Sequence, residues 1–333
     1  MKKLTIGVIG AGRIGKVHAE NIAYRMSEAN IKTIADVNLA EAEKLAKKLN
    51  IPVATDNYSD ILNDGEIDAV IICSPTNTHV QHIIESARAG KHIFCEKPID
   101  LNLNVIHNAL NVVEECNVKL MVGFNRRFDP NFRKIHDMVK SNKIGKPHII
   151  KITSRDPAPP PAEYISVSGG MFLDMTIHDF DMARYVVGSE VEEVFVTAGV
   201  LIDDKIGEAG DVDTAIISLK FENGAMGVID NSRKAVYGYD QRVVMFGSKG
   251  MIKVSNNKKE NHKYFDGNGE HSSLPLNFFM DRYTESYYQE VQLFIAAIVN
   301  DTEPPVTGED GLKAVMIALA AKQSVAENRP IKI

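Results

Sequence analysis

Residues 169–185 read GGMFLDMTIHDFDMARY and set a carboxylate and an imidazole four positions apart, Asp174 and His178. At helical spacing the two share a face. Asp181 lies seven positions beyond Asp174, on a similar face. Met171, Phe172, Met175, Phe180, Met182 and Ala183 surround them. Free histidine titrates near neutral pH, so a carboxylate–imidazole pair in apolar company suits proton transfer. The same residues admit a helix ion pair or a hydrogen-bonded core histidine. They also admit a metal site built from Asp174, His178 and Asp181. That third reading lacks HExxH-like spacing, and no metal is expected. Lys97, in Cys95-Glu96-Lys97-Pro98, is the other chemical candidate. Its ammonium could stabilise a developing alkoxide. The plain alternative is a surface lysine.

A cofactor signature stands at the start of the chain. Gly10-Ala11-Gly12-Arg13-Ile14-Gly15 is GxGxxG, placed after a strand-like run and opening a helix-like one, with Asp36 some twenty residues on. Gly10 permits the tight turn, Gly12 lets the backbone approach a pyrophosphate, and Gly15 lets helix and strand pack closely. Arg13 and Ile14 begin the helix whose free amides would meet the phosphates. Asp36 can accept from both ribose hydroxyls and would repel a 2′-phosphate, so NAD is expected over NADP. Ser74, Thr76, Asn77 and His79 follow the third strand, at the sheet edge where ligands bind. They are expected to border the dinucleotide, as are Glu96 and Lys97. Thr76 or Asn77 also suits a helix N-cap.

These residues need a sheet with its carboxyl edge in common. Residues 4–9, 31–35, 67–73, 92–95 and 119–124 read as strands. Residues 14–29, 39–49, 78–89 and 104–116 read as the helices between them. The order βαβαβαβαβ predicts a doubly wound parallel sheet over residues 1–123. From about residue 145 the rhythm changes. Residues 148–153 suggest a strand, the proline run at 156–164 an extended loop, and 171–187 one helix. Strand-like segments follow at 193–199, 213–221, 225–231, 241–246 and 251–254, joined by turns such as Glu222-Asn223-Gly224. They predict a mostly antiparallel sheet in an α+β domain over residues 124–333. A polar loop at 256–270 and helices at 283–299 and 309–328 complete it. The fold class is therefore α/β, with a Rossmann half followed by an α+β half.

At this level the chain resembles the Gfo/Idh/MocA oxidoreductase family over nearly its whole length. The strings that carry the likeness are GAGRIGKVHAENI, FCEKPI, GFNRRFDPNF, IGKPHIIKITSRDPAPPPAEY, GGMFLDMTIHDFDMARY, YGYDQRVVMFGSKG and GEDGLKA. The later ones are similar, more narrowly, to the inositol 2-dehydrogenase group. The resemblance implies that Lys97, Asp174 and His178 form the catalytic set, that His178 is the general base, and that the Lys97–Pro98 peptide is cis. It implies oxidation of a cyclic polyol, myo-inositol foremost, with scyllo-inositol or a glucose-like sugar as alternatives. It also implies an open second sheet used for assembly into tetramers. Arg127, Asp156 and Tyr237 occupy regions matching polyol contacts. Ser154-Arg155-Asp156 stands where some members carry His-Arg-Asn. A non-catalytic NAD-binding regulator is the alternative from another class.

Composition agrees with two ordinary domains: 333 residues, 44% hydrophobic and 25% charged. The net charge of −6 argues against a nucleic-acid or anionic-membrane partner. No apolar run approaches the ~20 residues of a spanning helix. The run after Lys3 is broken by glycines and reads as a strand rather than a signal peptide. Cys73, Cys95 and Cys116 form no CxxC and suit a reduced, cytoplasmic protein.

Overall fold

The computed structural model describes residues 3–333, with the backbone alone at 162, 166 and 167. The chain up to Phe128 joins Glu285–Lys313 in one compact unit, and Asp129–Thr284 joins Ala314–Ile333 in the other. The sequence alone predicts a single division, after residue 123. The structure divides the chain five residues later and returns 285–313 to the first unit. The reason is packing. Phe294 of the helix Thr284–Val299 sets its ring against Phe94 at 5.8 Å, and Val122 N donates to Val306 O at 3.2 Å.

In the first unit β1 (Leu4–Ile9), β2 (Ala29–Ala35), β3 (Val53–Thr55), β4 (Ala69–Ile72), β5 (His92–Glu96) and β6 (Leu120–Gly123) form one sheet. Its order is β3-β2-β1-β4-β5-β6, and every pairing is parallel. This is the doubly wound arrangement, whose crevice opens beyond the carboxyl ends of β1 and β4. The central strands are apolar runs because both faces are covered. β3 is not foreseen from sequence. It is a three-residue edge strand with no apolar run to mark it. The helix expected over 14–29 ends at Arg25, because Ala29 already pairs with Leu4 in the sheet.

The second unit contains β7 (Pro147–Arg155), β8 (Val191–Gly199), β9 (Thr214–Phe221), β10 (Met226–Ser232), β11 (Asp240–Gly247) and β12 (Gly250–Val254). A small hairpin, β13 (Lys263–Asp266) and β14 (Gly269–Ser272), falls in the segment read as loop, and β15 (Ile331–Lys332) closes the chain. The seven-stranded sheet runs β12-β11-β7-β10-β9-β8-β15. All its pairings are antiparallel except β7 with β10. β9 alternates buried and exposed residues, so one face of this sheet is covered and the other open. The prolines of 157–161 stay extended. A helix, Ala162–Ser168, starts immediately after them with Pro161 as its N-cap, a position that needs no helical amide.

The helix expected over 171–187 is two helices, Met171–Asp174 and Ile177–Val187. At the break Thr176 N reaches five residues back to Met171 O at 2.9 Å, widening the turn. Among the described residues, no helix is long and apolar enough to cross a membrane.

Candidate active site

The glycine string performs the packing roles its spacing implies. Gly10 has φ +103°, and a Cβ there would stand 2.7 Å from the Cys73 backbone. A Cβ on Gly15 would stand 1.9 Å from Gly10 O, so helix Arg13–Arg25 can approach the strand only with glycine here. A Cβ on Gly12 would meet nothing within 4 Å. Gly12 is also the N-cap of that helix and brings no side chain to its amides. Open space in front of uncapped amides fits an anionic pyrophosphate. Arg13 and Ile14 are the first two helical residues, Arg13 exposed and Ile14 half-buried. Asp36 follows β2. Its carboxylate accepts from Ala11 N at 2.6 Å and from Asn38 N at 2.8 Å, which ties it to the glycine turn in a fixed orientation. Each oxygen keeps a further acceptor site for a ribose hydroxyl.

The loop after β4 departs from expectation at its helix cap. Pro75, not Thr76 or Asn77, is the N-cap of helix Thr76–Arg88. Asn77 is exposed and Thr76 half-buried at the sheet's carboxyl edge, where Ser74 Oγ lies 2.6 Å from Thr78 Oγ1. His79 is only 1% exposed. Its Nδ1 and Nε2 each lie 2.8 Å from a backbone carbonyl, those of Pro98 and Ser74. Burial lowers its pKa, although both carbonyls pull it upward. With one ring nitrogen facing each carbonyl, His79 lies between the two loops that carry Pro98 and Ser74.

Glu96 is also turned inward. Its Oε1 lies 2.7 Å from Nε2 of the buried His18. Glu290 is fully buried behind them, with its nearest oxygen 3.9 Å from that same nitrogen. Burial first, and then the charge of Glu96, raise the Glu290 pKa well above its ordinary value. These three are the His and carboxylate group, among the described residues, whose ligand atoms fall within 4.8 Å of one another. They are not the trio Asp174, His178 and Asp181. Lys97 leaves β5 half-buried, and its peptide to Pro98 is cis. Arg127 lies in a 3₁₀ turn, Asn125–Phe128. It is buried there, and its Nη2 donates to Asp310 Oδ1 at 2.8 Å. It is therefore a buried ion-pair residue before it is anything else.

In the second unit Asp174 ends one helix and His178 lies in the first turn of the next, so the two do not share a continuous helical face. The chain on either side of His178 is tied down by a buried knot around Asn231 of β10. Thr176 Oγ1 donates to Asn231 Oδ1 at 2.7 Å, and Asn231 Nδ2 donates to Asp179 Oδ2 at 3.0 Å and to Ser154 O at 3.2 Å. The neighbours of His178 on both sides are thus tied to the sheet. Asp211 caps the preceding helix, its two oxygens accepting from Met171 N at 3.0 and 2.9 Å. Asp181 is fully buried farther along Ile177–Val187.

Sequence reasoning missed Arg233. Its Nη1 donates to Asp174 Oδ2 at 3.2 Å and to Asp156 Oδ2 at 3.4 Å. Tyr164 OH donates to Asp174 Oδ1 at 3.2 Å. Two residues singled out separately, Asp156 and Asp174, are therefore bridged by one guanidinium. Tyr237 is drawn elsewhere. Its hydroxyl donates to Asp240 Oδ2 at 2.6 Å and accepts from Arg155 Nη1 at 3.1 Å. Burial, and then Asp240, raise its pKa. Arg155 also grips Asp230 through Nε at 3.1 Å. With its proton committed, Tyr237 supports the strand ends and offers a ligand only a lone pair.

Residues 4–124 match the family model described as oxidoreductase family, NAD-binding Rossmann fold, and residues 132–253 match the GFO/IDH/MocA C-terminal domain. A myo-inositol 2-dehydrogenase of Thermotoga maritima is 49% identical over 99% of this chain and 98% of its own. The chain belongs to this oxidoreductase family. An inositol 2-dehydrogenase of Rhizobium meliloti is 48% identical, covering 98% of each chain. The crystal structure of a scyllo-inositol dehydrogenase from Lactobacillus casei, with bound NAD(H) and scyllo-inositol, superposes with a TM-score of 0.93 at 31% identity, covering 99% of each chain. Like other members of the family, the protein is an NAD-dependent dehydrogenase with a Rossmann domain for the cofactor. The glycine turn, the open helix end and Asp36 fit that cofactor.

Proposed function

We propose that this dehydrogenase oxidises a secondary alcohol on a cyclic polyol, myo-inositol at its 2-hydroxyl, to the ring ketone. The observation that carries the reading is near-half identity, across the whole chain, to enzymes named for that reaction. Bound NAD supplies the hydride acceptor. Gly10, Gly12, Arg13, Ile14 and Gly15 would cradle its pyrophosphate, and Asp36 would hold its adenosine ribose. Ser74, Thr76 and Asn77 would border it. We assign His178 as the general base for the hydroxyl proton, held in place by the Asn231 knot. Lys97 stabilises the alkoxide that forms. Asp174, oriented by Arg233 and Tyr164, accepts from a substrate hydroxyl or steadies the protonated imidazole. Arg127, held by Asp310, and Tyr237, held by Asp240, are the remaining residues we assign as polyol contacts.

One observation favours a second substrate. The scyllo-inositol dehydrogenase matches nearly the full chain. A panel of myo-inositol, scyllo-inositol and glucose, each with NAD and NADP, separates the readings. Good turnover of glucose with none of either inositol would sink both inositol assignments. His178→Ala should lose roughly 100-fold or more in kcat. An unchanged rate would remove it as base.

The same reading carries a cytoplasmic homotetramer that serves inositol breakdown. Burial pushes the Cys73 and Cys95 thiols up, which suits reduced packing residues. An assembly surface is available on the open sheet. Met226, Ile149, Phe246 and Met251 lie in register across β10, β7, β11 and β12, all exposed. Light scattering measures the assembly, and a monomer would refute it.

A further inference from the structure

Asp156, Arg233 and Asp174 come together through strand register. β7 and β10 run parallel with Arg155 opposite Ser232. The next residue on each strand, Asp156 and Arg233, therefore leaves the sheet side by side. Asp174 reaches the same guanidinium from the end of its short helix. The three differ in exposure. The Arg233 side chain is 4% exposed, whereas those of Asp156 and Asp174 are 23% and 16% exposed. The cation is sealed beneath, and each carboxylate is partly exposed. One nitrogen, Nη1, serves both Oδ2 atoms, which holds them within two hydrogen-bond lengths of each other. Arg233 Nη2 is buried with no hydrogen-bond partner among the described residues. The guanidinium is thus committed to this spot without being fully satisfied by the protein.

We infer that Arg233 is a positioning residue that makes Asp156 and Asp174 a paired acceptor for two hydroxyls of one neutral ring. The inference rests on the polyol reading above and deepens it by naming what selects the substrate class. A carboxylate edge accepts hydroxyl protons, and two edges at fixed separation read two hydroxyls at once. Two carboxylates around one guanidinium leave a local net negative charge, so a carboxylate or phosphate set against this pair in place of a hydroxyl meets repulsion. Without Arg233 the two acids would repel each other and lose their spacing. Arg233 acts through them and need not touch the substrate.

The test uses the full chain with saturating NAD. It measures kcat and KM for a neutral cyclitol, for its mono-deoxy analogues and for a ring acid of the same size. In the wild type at least one deoxy analogue should lose roughly 100-fold in kcat/KM, because a polar pair built for a hydroxyl discriminates strongly against its absence. In Arg233→Gln that ratio should shrink to about tenfold, mainly through KM. Arg233→Lys, which keeps the charge and loses the planar fork, should fall between. A merely structural arginine would lower stability and leave the ratio alone. A folded Arg233→Gln enzyme with the wild-type ratio therefore overturns the inference. Should Arg233→Gln fail to fold, Asp156→Asn takes its place: a reduced ratio supports the pair, and the wild-type ratio overturns it. Oxidation of the ring acid as readily as the neutral ring also overturns it. A wild type that oxidises another neutral ring but no inositol overturns the inositol assignment alone, and the ratio is then read on that ring. A wild type that oxidises no neutral polyhydroxy ring overturns both.

Discussion

Replacing Glu290 by glutamine exchanges a carboxyl for an amide of the same shape at a position with no exposed surface. Neither carboxyl oxygen has a hydrogen-bond partner among the described residues. The nearest basic atom, His18 Nε2 at 3.9 Å, is already held by Glu96 at 2.7 Å. Burial, reinforced by the Glu96 charge, raises the Glu290 pKa well above its ordinary 4.5. The consequence for stability follows from counting protons. Below pH 4.5 the folded and unfolded chains both hold the proton, and the group contributes no slope. Above that value the unfolded chain releases it while the folded chain keeps it. Wild-type stability therefore falls by about 1.4 kcal/mol per pH unit from this group, until the folded pKa is reached. Glutamine has no such proton. The stability of Glu290→Gln relative to wild type should thus climb by about 1.4 kcal/mol per unit from about pH 5 upward, and stay flat below about pH 4. Native-state hydrogen exchange of core amides in β4 and β5, at fixed ionic strength, reads the unit concerned. A difference constant across that range would refute the argument. A difference that instead falls as pH rises below about pH 4.5, and is flat above it, would mean that Glu290 is ionised and paired in the folded chain.

Three further perturbations follow from the same geometry. Asp36→Ala should weaken NAD binding by roughly tenfold or more and narrow the preference over NADP, by loss of charge-assisted acceptors; titration with both dinucleotides measures it, and unchanged NAD affinity would count against Asp36. Gly170→Ala should destabilise by about 2–3 kcal/mol, because φ is +82° and the new Cβ would lie 2.6 Å from the Asp211 oxygen that caps Met171; urea unfolding checks it. Asn231→Leu should cost about 2–4 kcal/mol by stranding buried polar groups of Thr176 and Asp179. It should also lower kcat, whereas a stable, fully active variant would show that the knot does not hold His178.

What can be read in the chain without its structure depends on how far apart the cooperating residues lie. The glycine string and Asp36 are legible because a turn, a helix end and the next strand lie within one βαβ unit, where spacing implies geometry. The short edge strand Val53–Thr55 carries no pattern of its own and exists because β2 offers it a partner. Asp174 and His178 stand out by residue type, but spacing alone wrongly joins them on one helix. Spacing assumes an unbroken helix, but the break at Met175–Thr176 accompanies an Asn231 contact made 55 positions away. His79 and Glu96 lie where ligand contacts belong, yet each is drawn inward by partners on other segments, Pro98 and His18. Arg233 shows the limit most clearly. Nothing near it in the sequence marks it, because its meaning comes from the parallel pairing of β7 with β10, in a sheet whose other pairs are antiparallel. Once that pairing is known, an acid one residue past one strand and a base one residue past its parallel neighbour must emerge together. Matched strand ends of opposite charge are thus a signal that becomes readable when register, rather than spacing, is the quantity inferred.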